Sequence, residues 1–228
     1  MSPPRPTNPA MQRLVDFYDP SVMGTDVGGR TLSQILAWRD TRLESQHDYI
    51  QILFPLPEGS LFNEYSPVVD EDTFLYLRHD ANAGFKRTMR RALARMLSFY
   101  GFDITWDQDA AGQWAVDVTA KPGAEQDHFP RWVRRMDHNH LRITRILRSL
   151  RVLGLEDEAR AFFAALGWTF DKYHRIGDGS MKFWRRAMEL PLHVAPDGTE
   201  VDWLEKYEEK EETEKTEETK DDERTTVT

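Results

Sequence analysis

The sequence predicts a mainly α protein: a single multi-helix domain with one small β-hairpin and a disordered acidic C-terminal tail. Three observations carry that reading. Apolar residues recur at the 3.6-residue period of a buried helix face through most of the chain. Residues 102–120 alone alternate with period two about a turn. Apolar residues nearly vanish after Tyr207, so the end of the chain has no face to bury. The expected organisation is a disordered lead-in over 1–10, a helical domain over 11–203 and a charged tail over 204–228.

Composition narrows the class. The 228 residues, 39% hydrophobic with seven Trp, seven Tyr and twelve Phe, suffice for one sizeable aromatic core. Without cysteine, disulfides and thiolate metal sites are excluded, and a secreted disulfide scaffold is disfavoured. No apolar run reaches the roughly 18 residues that span a bilayer, and MSPPRPTNPA lacks the apolar centre of a secretory signal. A soluble intracellular protein is the expectation. The net charge of −9 is uneven: residues 205–224 hold 11 of the 39 acids and five of the 30 bases.

In chain order, Met11 to Tyr18 reads as a short helix stopped by Asp19 and Pro20. Thr31 is placed to cap TLSQILAWRDTRLESQHDYIQILF, read as one helix kinked near Gln46 and ended by Pro55 and Pro57. LPEGSLFNEYSPVV reads as an ordered loop, since Leu61, Phe62 and Tyr65 are costly to leave in water. Asp70 caps a helix to about Arg78. A longer one runs from Ala83 to Tyr100, with Gly101 closing it and Lys86, Arg87, Arg90, Arg91 and Arg95 on its outer side.

FDITWDQDAAGQWAVDVTA is the hairpin, turning between Asp109 and Gly112; two strands alone are barely stable, so it must lie on helices. A helix from near Asn139, capped by Asp137 or Asn139, aligns Ile143, Ile146, Leu147, Leu150 and Leu153, with Gly154 beyond. Arg142, Arg145, Arg148 and Arg151 spread over its other half. LEDEARAFFAAL should pair with it and end at Gly167, and SMKFWRRAMEL should run from a Ser180 cap to Pro191.

Several runs are similar to a known family. Trp38, His47 to Gln51, Leu53 to Glu58, Asn63 and Pro67 resemble the first signature of the opioid growth factor receptor conserved domain. His138 to Leu150, followed by Leu153, Gly154 and Leu155, resembles the second, and Ser180 with Phe183 and Trp184 a third. The resemblance implies a non-classical, perinuclear or nuclear-membrane-associated receptor for the pentapeptide enkephalin, unrelated to seven-helix opioid receptors. It leaves peripheral membrane association open and supplies no ligand-contact residues.

Read from the residues, the arginines point to an anion-recognising surface suited to an acidic peptide or a phosphate group. Nucleic acid is disfavoured, because the chain is acidic and no stacking motif interleaves the arginines. The candidate binding residues are Trp38, His47, Asp48, Gln51, Arg134, Arg135, His138, Asn139, His140, Arg142, Arg145 and Arg148. The simpler account of His47 is a hydrogen-bonded helix histidine ordering the turn before Pro55. His138 and His140, two apart, point to different faces of a helix and lack a nearby third ligand, so no metal site is expected. With no phosphate loop, nucleophile elbow or cysteine, no catalytic residue and no cofactor is expected.

Two functions are compatible with these features. The first is a module of the opioid growth factor receptor type, holding a peptide or protein partner through an arginine-lined helical face. The second is an enzyme acting on an acidic or phosphorylated small molecule with His47 and Asp48, or His138 and His140. A deep pocket joining these histidines to arginines would favour the enzyme; a shallow groove with His47 buried on backbone would favour the module. The charge asymmetry also raises a fold-back of the tail onto the arginine faces.

Overall fold

The order of elements is set by where helical periodicity can be sustained and where it breaks. The computed structural model describes residues 3–59, 66–108 and 114–208. The loop residues Leu61, Phe62 and Tyr65, the hairpin turn and residues 209–228 lie outside them. Helix α1 (Pro9–Tyr18) starts with proline at its first position, where no amide bond is lost, and with Asn8 capping Ala10 N. It therefore opens inside the stretch expected to be a loose lead-in.

The predicted long helix from Thr31 is instead three short ones: α2 (Leu32–Leu36), α3 (Asp40–Ser45) and α4 (Ile50–Leu53). Thr31 does cap α2, in a capping box with Gln34. The breaks survive because other side chains serve the carbonyls they strand. Arg95 donates to Leu36 O (3.2 Å) and to Trp38 O and Asp40 Oδ1 (2.6 and 2.8 Å). Apolar periodicity alone could not reveal donors supplied from elsewhere.

Asp70 caps α5 (Glu71–Arg78), and α6 (Ala83–Tyr100) has the predicted limits. Gly101 ends α6 at φ +93°, where an added Cβ would stand 2.7 Å from His128 Cβ. Strands β1 (Phe102–Gln108) and β2 (Trp114–Ala120) pair antiparallel, with Ile104 opposite Val118 and Trp106 opposite Val116. They lie on α6 and on the later helix α10 (Glu156–Tyr173), as a two-stranded ribbon requires. Two single turns, α7 (Ala124–Asp127) and α8 (Phe129–Trp132), lead to α9 (His138–Val152), capped by Asp137.

The stripe on α9 is the centre of the core: Ile143, Ile146, Leu147 and Leu150 are fully buried. Each contributes roughly 1.5–3 kcal/mol of apolar burial. Helix α9 packs on α10 and on α11 (Asp178–Glu189). Around it Tyr100, Phe102, Phe129, Trp132, Phe162 and Trp184 form a continuous aromatic cluster at 5.5–6.4 Å between centroids.

Two expected ends move. Helix α10 does not stop at Gly167 but runs to Tyr173, with His174 in the left-handed cap position. At Gly167 an added Cβ would merely touch Met181 Cε at 3.8 Å, so nothing there breaks the helix. Helix α11 begins two residues before Ser180. Packed structure also continues beyond Trp203: Leu204 is fully buried, and the Tyr207 ring lies 5.0 Å from Phe74.

Candidate binding cleft

The arginines of α9 do not form a solvated face. Three residues apart, each is rotated about 60° back around the axis from the last, so successive guanidiniums reach different neighbours. Arg142, 5% exposed, donates to Leu43 O (3.1 Å), Glu44 O (3.4 Å), Gln46 O (2.6 Å) and Asn139 Oδ1 (3.1 Å). Arg145 Nε donates to Phe54 O, the C-cap of α4, at 2.8 Å. Arg151 Nη1 reaches Ala187 O (2.8 Å) and Leu190 O (3.0 Å) at the end of α11. Arg148, 1% exposed, pairs with Glu58 (3.2 Å) and donates to Leu192 O (2.6 Å) just beyond α11. Helix α9 thus places cations on the carbonyl-rich ends of α3, α4 and α11, where the helix dipole is negative. The expected outer arginine face is corrected accordingly: stranded carbonyls draw the guanidiniums inward.

Burial in this way leaves Arg142 and Arg145 without a carboxylate partner among the described residues, whereas Arg148 has Glu58 and Arg151 has Glu156. Among the described residues, every partner of Arg142 is neutral, including His47 Nδ1 at 2.9 Å. Arg145 has Phe54 O and a long contact to Ser66 Oγ at 3.4 Å, and burial pushes its pKa down to about 10 against a weaker opposing pull from Glu58. Arg148 Nη1 and Glu58 Oε2 are buried without a hydrogen-bond partner.

These groups border a cleft of about 370 Å³. Arg142, Arg145 and Arg148 come to it from α9, and His47, Ile50, Gln51, Leu56 and Glu58 from α4 and the residues flanking it. Leu141, Phe183, Ala195, Pro196 and Asp197 complete the rim. Leu141 and Phe183 are 57% and 38% exposed, so the rim is apolar as well as cationic within.

The histidines divide. His47 is exposed at the mouth, its ring 5.4 Å from that of His138, which approaches Glu44 at 3.4 Å. Since His47 Nδ1 accepts from Arg142, the proton of its neutral ring is on Nε2. Partial burial and the Arg142 charge both lower its pKa. His140 points the other way, into the core. Its Nε2 lies 2.8 Å from Trp132 O, its Nδ1 2.6 Å from Ser180 Oγ, and its ring edges onto Trp184 at 5.4 Å. Burial lowers its pKa.

Of the twelve predicted residues, the fold brings His47, Gln51, His138, Arg142, Arg145 and Arg148 together. Asn139 supports them from beneath, buried between Glu44 and Arg142. Trp38 is core, with the Arg42 guanidinium 4.1 Å from its ring centroid, and Asp48 faces Arg30. Arg134 and Arg135 sit exposed before α9 and do not line the cleft. Sequence reasoning missed Leu141 and Phe183; Leu141 stands off the apolar stripe of α9, which was its one signal. Among the described residues no group of three His, Asp or Glu is placed to hold a metal, and no helix is long and apolar enough to cross a membrane.

A family profile described as the opioid growth factor receptor (OGFr) conserved region matches residues 15–189. The opioid growth factor receptor of Rattus norvegicus is 35% identical over 133 residues, 56% of this chain and 21% of the relative. That of Homo sapiens is 33% identical over 123 residues, 52% of this chain and 16% of the relative. Opioid growth factor receptor-like protein 1 of Mus musculus is 36% identical over 118 residues, 50% and 22% of the two chains. The matched region is about a fifth of the length of these relatives. No solved structure matches.

Proposed function

Because the chain belongs to the opioid growth factor receptor family, we propose that it is a peptide-binding module whose ligand lies in the cleft beside α9. One juxtaposition supports the reading: an exposed apolar rim of Leu141 and Phe183 beside Arg142 and Arg145, which among the described residues meet carbonyl oxygens rather than carboxylates. Such a site suits a segment that alternates apolar and acidic side chains, the apolar ones covering the rim and the carboxylates completing the cations. The relatives are named opioid growth factor receptors, and the family resemblance implies enkephalin, which makes it a first ligand to try. By the same resemblance the module works inside the cell, in cytoplasm or nucleus, with peripheral contact at the nuclear membrane; imaging of a fluorescent fusion tests that placement.

The test is fluorescence anisotropy with two dye-labelled probes, enkephalin and a short peptide of alternating glutamate and phenylalanine. Binding of either, weakened at least tenfold by Phe183→Glu and by Arg145→Met, is the expected result, since tenfold is about 1.4 kcal/mol. Binding that ignores both substitutions, or none by either probe, refutes the assignment.

One arrangement favours the enzyme reading: His47, exposed rather than buried on backbone, faces His138 in a cleft that also holds arginines, with Glu44 beside His138. Neither pairing suggested by the sequence is assembled there, because Asp48 turns to Arg30 and His140 is in the core. Absence of turnover of p-nitrophenyl phosphate and carboxylic esters above the level of a His47→Ala, His138→Ala variant would dismiss it.

A further inference from the structure

Part of the lining of the cleft is the segment after α11, which contributes Ala195, Pro196 and Asp197. That segment is held by a residue from further along the chain. The Glu208 carboxylate accepts from Leu192 N at 2.8 Å and lies 2.9 Å from His193 Nδ1. Leu192 is also the residue whose carbonyl receives Arg148 Nη2. The Glu208 charge is felt at Arg151, one helical step further along α9. The last described residue thus lies one residue away from Arg148 of the cleft, with Leu192 bridging Glu208 and Arg148.

The residues after Glu208 are complementary in charge to Arg142, Arg145 and Arg148, which outnumber the two acids of the lining, Glu58 and Asp197. Residues 209–228 contain nine acids and four bases, a net −5, interrupted by threonines and without an aromatic residue. Reach is not limiting, because twenty residues span up to roughly 66 Å when extended. We propose that residues 209–228 are an intramolecular occupant of this cleft, laying glutamates against Arg142 and Arg145, and that an outside ligand must displace them. The idea rests on the reading of the cleft as a ligand site and adds its regulation.

Chemistry and tethering set the expected size. A tail of weak intrinsic affinity, near 1 mM, is presented at an effective concentration of several mM when joined at Glu208, so an outside ligand loses about five- to tenfold. The attraction is between charges in a partly open site, so it shrinks as salt shortens the screening length from about 14 Å near 50 mM to about 4 Å near 500 mM.

The test keeps the full chain and changes Glu209, Glu211, Glu212, Glu214, Glu217 and Glu218 to Gln, which takes the segment from −5 to +1. Two readouts are compared with the native chain: NMR signals of Arg145 Nε and of the Leu141 and Phe183 amides, and the affinity of the glutamate–phenylalanine probe. Expected are moved cleft signals and a probe bound five- to tenfold more tightly at low salt, both differences fading at high salt. Unmoved signals with equal probe affinity overturn the tail proposal and leave the peptide reading standing. Moved signals with no probe binding to either chain leave the tail proposal standing and remove the peptide reading. Shifts in the native chain that grow with protein concentration would mean that a second copy supplies the tail, which overturns the intramolecular form.

Discussion

Replacing Arg142 with Met separates the stitching role of the α9 arginines from a merely solvated one. In the native fold its guanidinium serves Gln46 O at 2.6 Å, Leu43 O and Asn139 Oδ1 at 3.1 Å, and His47 Nδ1 at 2.9 Å. A charge-assisted hydrogen bond nets about 1.5–3 kcal/mol, and an acceptor left buried and unpaired costs about 1–3 kcal/mol. These do not simply add, and Met recovers some desolvation by removing a buried charge. The expected loss for Arg142→Met is therefore about 3–5 kcal/mol. At roughly 2–4 °C per kcal/mol for a domain of this size, the midpoint falls by about 6–20 °C. Lysine restores charge but not the planar fork, so Arg142→Lys should recover less than half. Urea unfolding followed by tryptophan fluorescence measures both, with an unchanged denaturant slope required for the comparison. A loss below about 1 kcal/mol for Met, or lysine matching the native chain, would refute the claim that this arginine replaces missing helix bonds.

The other expectations use the same assay. Arg148→Met strands the Glu58 carboxylate in the interior and should cost about 3–5 kcal/mol, whereas Arg148→Met with Glu58→Leu should recover most of it; equal losses would deny the coupling. Among the described residues Arg145 has one good hydrogen bond and no carboxylate partner, so Arg145→Met should change stability by less than about 1.5 kcal/mol while weakening probe binding. The folded pKa of His140 lies below its unfolded value, so the unfolded chain binds the extra proton between the two. Stability contributed by neutral His140 is thus full above about pH 6.5 and declines as pH falls through the folded pKa, at up to about 1.4 kcal/mol per pH unit. His140→Gln should flatten that slope measured from about pH 7.5 to 5.5; an unchanged slope counts against it.

The part of the fold legible in the sequence is the part decided by local periodicity and caps. Residues 83–100, the hairpin strands and the stripe of Ile143, Ile146, Leu147 and Leu150 needed nothing but neighbours along the chain. The breaks at 37–39 and 46–49 were hidden because Arg95 and Arg142, 57 and 96 residues away, supply the missing donors. The same fact misled the reading of the arginines. At the level of sequence, a guanidinium bound to a carbonyl and one bound to water look alike. Half of the twelve predicted residues nonetheless line one cleft, since His47, Gln51 and His138 lie within or beside the signatures that meet across α9. Phe183 was visible only as part of the weakest signature, and its exposure depends on how α11 packs.

Short helices such as α2, α3 and α4 have no independent tendency to persist, and α3 and α4 are clasped by the arginines of α9 in addition to burying Leu43, Ile50 and Leu53 in the core. That stretch is therefore a detachable panel: it should come loose as a unit, ahead of global unfolding, whenever the clasps let go. The panel is also one side of the cleft. A molecule seated there should slow amide exchange across residues 40–54 far more than in α10, so that occupancy is recorded as protection of the least secure part of the wall.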